Sequence, residues 1–420
     1  MAESSAELDP RSLWRVLEVT RQLGVSIELK PLLERVVEVA LDVLRADRGT
    51  VFLYDAGSGE LFSEVATGSQ EIRFPADRGI AGDCAQQRRI INVPDCYADA
   101  RFNTEVDRQT GYRTRCQLAV PLVGYDGELV GVLQVLNKAG GAAFDETDEQ
   151  LAEALGAQCA VALQRARLIE AYLVKQKLER DLAVAREIQS RVLPRELPGP
   201  AGYDIAAWTR PADETGGDTY DAWALDERRA ALLLADATGH GIGPALSVTQ
   251  VRAMVRMAMR TDAGLDDAVA HVNDQLVDDL PGNRFVTAFI GILDVEAHAV
   301  GYHSAGQGPL LHYRAADDAC QWVGASTFPL GIVAGPAFEP PPAFRLDPGD
   351  ILALLSDGIY EYANDAGDQF GEQGVADVVR AHRDRPMSEL IEQVRRAVET
   401  FAPGVEQADD MTMLLVKRLR

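Results

Sequence analysis

"GGDTYDAWAL" (216–225) is followed a few residues later by "LADATGHGIG" (234–243). Asp218, Asp221 and Asp236 thus sit beside glycines in segments that otherwise read as strands. Glycine lets the backbone approach closely and frees carbonyls to act as ligands. Carboxylates gathered in one place repel one another unless something positive sits between them. A metal ion, a basic partner and bulk water are the candidates.

Two further blocks are built alike, one with Asp357 in "LALLSDGIYE" (352–361), the other with Asp409 and Asp410 in "EQADDMTMLLV" (406–416). Asp236, Asp357 and Asp409 each lie at one end of an apolar strand run, next to a turn. Such positions hold side chains at the rim of a sheet and aim them at one place. One block alone would read as a solvated turn, but four in sequence do not. Carboxylate and carbonyl donors suit hard Mg²⁺ or Mn²⁺, whereas zinc would want clustered His or Cys. The six histidines (240, 271, 298, 303, 312, 382) show no such spacing. Two hard ions about 3.5–4 Å apart can activate a water against a phosphorus ester.

The surrounding chain divides readily. At 420 residues it is too long for one core, so two domains and a connector are expected. Residues 11–45 carry helical apolar spacing, as in "LLERVVEVALDVL" (32–44). From 49 to 137 short strand-like runs alternate with turn signals, and "YDGE" (125–128) reads as a hairpin turn. Residues 145–193 read as one helix, roughly 70 Å long at about 1.5 Å per residue. Its second half holds an imperfect heptad, with Leu168, Lys175, Leu182 and Gln189 at one seam position and Ala171, Leu178, Ala185 and Val192 at the other. That pattern suits a parallel dimeric coiled coil, or a single helix lying on its own domain. Pro194, Pro198 and Pro200 end it. Strands then dominate 202–420, with helical stretches at 244–260, 265–280 and 387–401, the pattern of an α+β sandwich.

Composition excludes several function classes. A net charge of −24 and a pI near 4.7 argue against a nucleic acid backbone and an anionic membrane as partners. No stretch reaches the length of a membrane-spanning helix. The start, "MAESSAELDP", has acids where a signal peptide needs a basic and then an apolar run. Five scattered cysteines (84, 96, 116, 159, 320), with no C-x-x-C pair, read as core residues in a reducing cytosol. A cytoplasmic location is expected.

The acidic blocks follow one another in a recognisable order: "EIQSRVLP" (187–194), "RPADETGGDTYD" (210–221), "LADATGHGIGPALS" (234–247), "FVTAFIGILD" (285–294), "SAGQGPLL" (304–311), "PLGI" (329–332), "LDPGDILALLSDGIYEYANDAGDQFG" (346–371) and "DDMTMLLV" (409–416). Over about 190–420 the chain resembles the RsbU/SpoIIE-like branch of the metal-dependent protein phosphatases, the PPM family. The resemblance implies a β-sandwich flanked by helices, with a two-metal serine/threonine phosphatase site. It places Asp218 and Asp236 around one Mn²⁺ or Mg²⁺ with the Ala237 carbonyl nearby, and Asp357 and Asp409 around a second, Asp410 being the alternative to Asp409. Asp221 reads as structural, or as a support behind the ligands. The branch commonly shows His and Asn where this chain has Gln307 and Gly308, which puts substrate fit in question there. A phosphorylated anti-sigma-factor antagonist of the STAS type is the implied substrate.

The first unit has its own signature: Asn137, Lys138, Phe144, Asp148 and Glu149 form N-K-x5-F-x3-D-E. With "PADRGIAGDCAQQRRIINVPDCYADARFNTEVDRQTGYRTRCQLAVPL" (75–122), it resembles GAF domains, most closely those of cyclic-nucleotide phosphodiesterases. Lys138 and Asp148 read as a pair stitching a strand end to the following helix. The resemblance implies that Ile80 and Ala81 offer backbone and apolar contact to a ligand, and that Asp107, Thr110, Thr114 and Gln134 supply polar groups. The ligand would be a cyclic nucleotide or another small molecule; a module that only dimerises is the third reading.

The expected organisation is therefore an N-terminal helical segment (1–26), a GAF sensor (27–168), a coiled-coil linker (169–195) and a PPM phosphatase domain (196–420). A homodimer would relay ligand binding through the linker. The rival is a catalytically silent GAF-regulated scaffold, whose mark would be loss of the metal acids. A sensor kinase needs a phosphoacceptor His on the connector, and 145–193 contains none. A nucleotide cyclase needs Glu-Phe after "GGD", where Thr219 and Tyr220 stand.

Overall fold

The computed structural model describes residues 28–66, 72–239, 241–260, 264–282, 284–335 and 340–419. The N-terminal helical segment expected over 1–26 lies outside the described residues. Two compact units divide the chain between Lys177 and Leu178.

The first unit is built on a six-stranded antiparallel sheet, ordered β3-β2-β1-β6-β5-β4. Its strands are β1 (Ala46–Asp55), β2 (Glu60–Ala66), β3 (Ile72–Pro75), β4 (Ile91–Val93), β5 (Gln117–Val123) and β6 (Leu129–Lys138). "YDGE" falls in the β5–β6 connection, as the turn signal predicts. Helix α1 (Leu29–Leu44) buries Leu32, Leu33, Val36, Val37, Ala40 and Leu44, a stripe at three- and four-residue spacing, against one sheet face. The buried turns of the long helix α4 (Glu146–Val192) cover the same face through Leu151, Leu155 and Leu163. Helix α2 (Gly79–Gln87) covers the other with Ile80, Ala81 and Cys84, and α3 (Thr104–Thr110) follows it. Lys138 bonds Asp148, and its Nζ lies 2.9 Å from Asp145, so the strand end is stitched to α4 as the N-K…D-E set predicts.

The second unit is a sandwich of two five-stranded sheets. One runs β14 (Ala343–Arg345), β11 (Ala299–Ala305), β10 (Val286–Asp294), β9 (Arg229–Ala237), β8 (Asp218–Ala224). The other runs β13 (Ala319–Val323), β12 (Leu310–Arg314), β15 (Ile351–Leu355), β16 (Met411–Arg418), β7 (Tyr203–Arg210). Leu232, Leu234, Phe289, Leu352, Leu354, Leu414 and Val416 fill the space between the sheets. Helices α5 (Ile242–Ala258) and α6 (Leu265–Asp279) cover the outer face of the first sheet. The short α7 (Asp357–Tyr360) follows β15; α8 (Gly371–His382) and α9 (Met387–Phe401) cover the second sheet. This is the mixed α and β architecture the sequence predicts, GAF-like first and sandwich second.

Helix α4 matches the stretch expected over 145–193 almost to the residue. Of the heptad positions, Leu168 and Leu178 are each 56% exposed, while Leu182, Ala185, Gln189 and Val192 are half-buried within the chain. The seam expected to run through Gln189 thus meets other work at its end: that side chain bonds a loop of its own unit.

Candidate metal centre

Strand periodicity decides which acids can meet. Side chains alternate between faces, so residues two apart share one. On β8, Asp218 shares its face with Ala222, which packs between the sheets; Asp221 shares the other with Trp223, which packs under α5. On β9 the inner set is Leu232, Leu234 and so Asp236. On β16 it is Val416, Leu414 and so Thr412, with Asp410 next in step; on β15 it is Leu352, Leu354 and so Ser356, with Asp357 beginning α7. The inner faces of both sheets therefore end together in acids and hydroxyls.

Register completes the arrangement. Asp218 stands directly opposite Asp236 across the β8–β9 ladder. Burial, then the Asp236 charge, raises the Asp218 carboxyl well above the usual range, against hydroxyls of Thr412 and Ser356 that favour its ionised form. Burial, then Asp357, Asp409 and Asp410, pushes Asp236 up to about 7. Burial and Asp409 likewise raise Asp357. These acids feel one another as a set.

Asp410 has a different occupation. Its carboxylate accepts the Ala212 amide at 2.7 Å and the Asp218 amide at 3.2 Å, so it holds the loop 211–217 between β7 and β8. Asp409 is exposed, and its side chain accepts the Asp410 amide at 2.8 Å. Of the two neighbours, Asp409 is the one whose charge acts on Asp357. Ala237 places its carbonyl 3.0 Å from where a Cβ on Gly217 would lie, and the Gly239 carbonyl is 3.3 Å from that point. Glycine at 217 keeps that space open.

The donor set can be tested against hard cations. Among the described residues, no group of three or more His, Cys, Asp or Glu is assembled that could hold a metal ion. Asp218 faces Asp236 across the ladder, and Asp357 and Asp409 lie near enough to act on Asp236. Mg²⁺-like ions commonly take one or two carboxylates, carbonyls and retained waters. Among the described residues, Asp218 Oδ2 is buried with no hydrogen-bond partner. A buried polar atom without a partner is costly, and a cation would satisfy it. The residues present fit such an ion.

Other residues fall outside this centre. Asp221 is fully buried and takes a two-pronged bond from Arg256, at 2.5 and 2.9 Å, with Arg252 at 2.7 Å. It anchors α5 to the sheet, the structural role its position implied. Gln307 is buried rather than substrate-facing. Its amide donates to the Leu355 carbonyl at 3.0 Å and accepts from Thr287 at 3.2 Å, tying the ends of β10 and β15 together. In the first unit, Asp107 accepts Tyr97 Oη, Thr114 N and Thr114 Oγ1 at 2.7–3.0 Å, and Gln134 accepts Gln117 at 3.0 Å. Ile80 and Ala81 are buried in the apolar cluster under α2, and Thr110 ends α3. Asp107, Thr114 and Gln134, singled out for a ligand, thus bond neighbouring groups of their own unit. The signals missed in the sequence were Gln189, Ser356 and Thr412; only the inward step of β15 and β16 could have pointed to the hydroxyls.

The comparisons agree with this division. The GAF domain family matches residues 28–163, and the family described as Stage II sporulation protein E (SpoIIE) matches 226–419. The chain joins a GAF domain to a SpoIIE-type, PP2C-like domain. The SiaA-PP2C domain of Pseudomonas aeruginosa superposes with a TM-score of 0.51 at 22% identity, over 58% of this chain and 98% of that one, a likeness of fold. In the GAF part the chain is 33% identical over 182 residues to the cGMP-specific 3',5'-cyclic phosphodiesterase of Drosophila virilis. It is 31% identical over 182 residues to the dual 3',5'-cyclic-AMP and -GMP phosphodiesterase 11 of Drosophila melanogaster. These matches take in 39% of this chain, and 20% and 12% of those proteins. No helix among the described residues is long and apolar enough to cross a membrane.

Proposed function

We propose that the SpoIIE-type domain hydrolyses phosphoserine or phosphothreonine on a regulatory protein, under control of the GAF domain. The observation that carries this is the facing pair Asp218–Asp236, held at the same sandwich end as Asp357 and Asp409. Asp218 and Asp236, with the Ala237 carbonyl, would hold one Mn²⁺ or Mg²⁺, and Asp357 with Asp409 a second. When bound, such ions supply charge stabilisation and an activated water for in-line attack on phosphorus.

The chain's own residues prepare the place. Asp410 fixes the loop before Asp218 through its amides. Ser356 Oγ bonds the Asp410 carbonyl at 3.1 Å and accepts the Thr412 amide at 2.8 Å, locking the two acidic strand ends together. A cavity of about 300 Å³ beside Asp409, lined by Glu361, Tyr362, Asn364 and Glu406 among others, gives room for a side chain flanking the phosphorylated residue.

The substrate proposed is an anti-sigma-factor antagonist of the STAS type, and the acting form a homodimer paired along α4. The proposed GAF ligand is a cyclic nucleotide, on the strength of the phosphodiesterase likeness. It would have to exchange the internal bonds of Asp107 and Gln134. Measuring Mn²⁺-dependent hydrolysis of p-nitrophenyl phosphate and of a phosphoserine protein, wild type against Asp236→Asn, tests the reading. Activity in the wild type that the variant loses supports it; equal activity removes the site, and no activity in either leaves the scaffold reading.

A further inference from the structure

The last turn of α4 touches the candidate centre through one side chain. Gln189 Nε2 donates to the Gly216 carbonyl at 2.6 Å, and the Gly216 amide donates back to Gln189 Oε1 at 3.2 Å. One side-chain amide thus pairs with both polar groups of one residue, as a neighbouring strand would. Gly216 is buried, so water does not readily replace these bonds.

The position of Gly216 gives the contact its meaning. It lies two residues before Asp218, in the loop 211–217, which has no regular ladder of its own. Side chains from distant parts of the chain clasp that loop. Asp410 grips its flanks at Ala212 and Asp218, from the start of β16. Gln189 grips its middle, from the connector helix. Asp410 stands at the start of a sandwich strand; Gln189 belongs to the helix that continues into the other unit.

We propose that Gln189 is a positioning residue whose two-bond clasp on Gly216 sets the placement of Asp218, making the end of the connector helix part of the carboxylate centre's support. The proposal rests on the metal reading above for its effect on ions, but the clasp itself does not. Groups that orient a metal ligand change affinity by about 10–100-fold when removed. The residue's chemistry is specific. A carboxylate at 189 would accept the Gly216 amide yet repel its carbonyl, and an apolar side chain of equal length would do neither.

The test uses the full-length chain in two measurements. Without metal, hydrogen exchange is followed at the amides of 212–218 in wild type, Gln189→Met and Ile188→Ala, an exposed neighbour outside the clasp. Gln189→Met is expected to speed exchange at Gly216 and Asp218 by about tenfold while the β9 amides stay as they were. With metal, Mn²⁺ titration calorimetry should show affinity weakened about tenfold or more in Gln189→Met and unchanged in Ile188→Ala. Gln189→Asn, which keeps the amide but shortens its reach, should act in the same direction and replaces the Met variant if that one folds poorly. Unchanged exchange in the loop overturns the proposal whatever the ion does. If Asp236→Asn loses Mn²⁺ binding while Gln189→Met keeps it, the site reading stands and the clasp has no positioning role. If Asp236→Asn binds as wild type does, the metal reading has failed instead.

Discussion

Asp218 and Asp236 face one another directly across β8 and β9 on the face that lines the sandwich interior. Like charges directly opposite in an antiparallel ladder are destabilising, and burial here adds to the penalty, holding both carboxyls above their ordinary range. Without divalent ions, Asp236→Asn should therefore raise the melting temperature of the second unit, by about 1–4 °C. With Mn²⁺ the order should reverse, because wild type gains stability by binding and the variant does not. Differential scanning fluorimetry with and without Mn²⁺ checks both halves. A variant less stable than wild type in the absence of metal would contradict the repulsion argument.

Asp221 carries the opposite expectation, although it lies three residues from Asp218. It is fully buried between Arg252 and Arg256, and Arg256 also lies over the Trp223 ring, 4.7 Å from its centroid. Removing one member of a buried ion pair leaves an uncompensated charge, at a cost of about 3–5 kcal/mol. Asp221→Ala should lower unfolding stability by about that amount in a denaturant titration. A loss below about 1 kcal/mol would mean that water reaches the arginines.

How much was legible in the sequence follows from the range of the interactions. "RAALLLADA" and "MTMLLVKRL" are β9 and nearly β16, and 387–401 is α9, because apolar period and breakers are local signals. Asp236, Asp357 and Asp409 were legible too, since each sits at an end of an apolar strand run. Their division of labour was not. Asp410 differs from Asp409 by one step of the strand, and that step sends its carboxylate to the amides of Ala212 and Asp218, about two hundred residues earlier. Gln307 read as a substrate-facing departure because its partners, Thr287 and Leu355, meet it only after two sheets have packed. Gln189 fitted a heptad by spacing while its amide was committed to Gly216.

Pairing along α4 makes a separate prediction. Leu168, Tyr172 and Leu178 are each more than half exposed on this helix, an apolar stripe that a second copy would cover. Leu178→Asp should shift the full-length chain toward monomer in sedimentation velocity at micromolar concentration, with Mn²⁺ affinity retained. A wild type that sediments as a monomer, or a variant that stays dimeric, would remove the coiled-coil seam.

His312 makes the second unit sensitive to acid. It is buried on β12, edge-on to Phe344 at 5.4 Å, with Nε2 3.4 Å from Asp350. Burial lowers its proton affinity below the ordinary histidine value, the nearby Asp350 charge only partly offsetting this. The unfolded chain takes up a proton near pH 6.5 that the folded chain accepts only at lower pH. Between those two points the unfolded state binds more protons, so stability falls as pH falls; above about 6.5 the histidine contributes no slope. His312→Asn removes this titration. The difference in melting temperature between wild type and variant should therefore change between pH 7.5 and pH 5, with wild type losing more. Because the other titrating groups are common to both proteins, their contributions cancel, and a difference constant over that range would show that His312 is protonated as easily folded as unfolded.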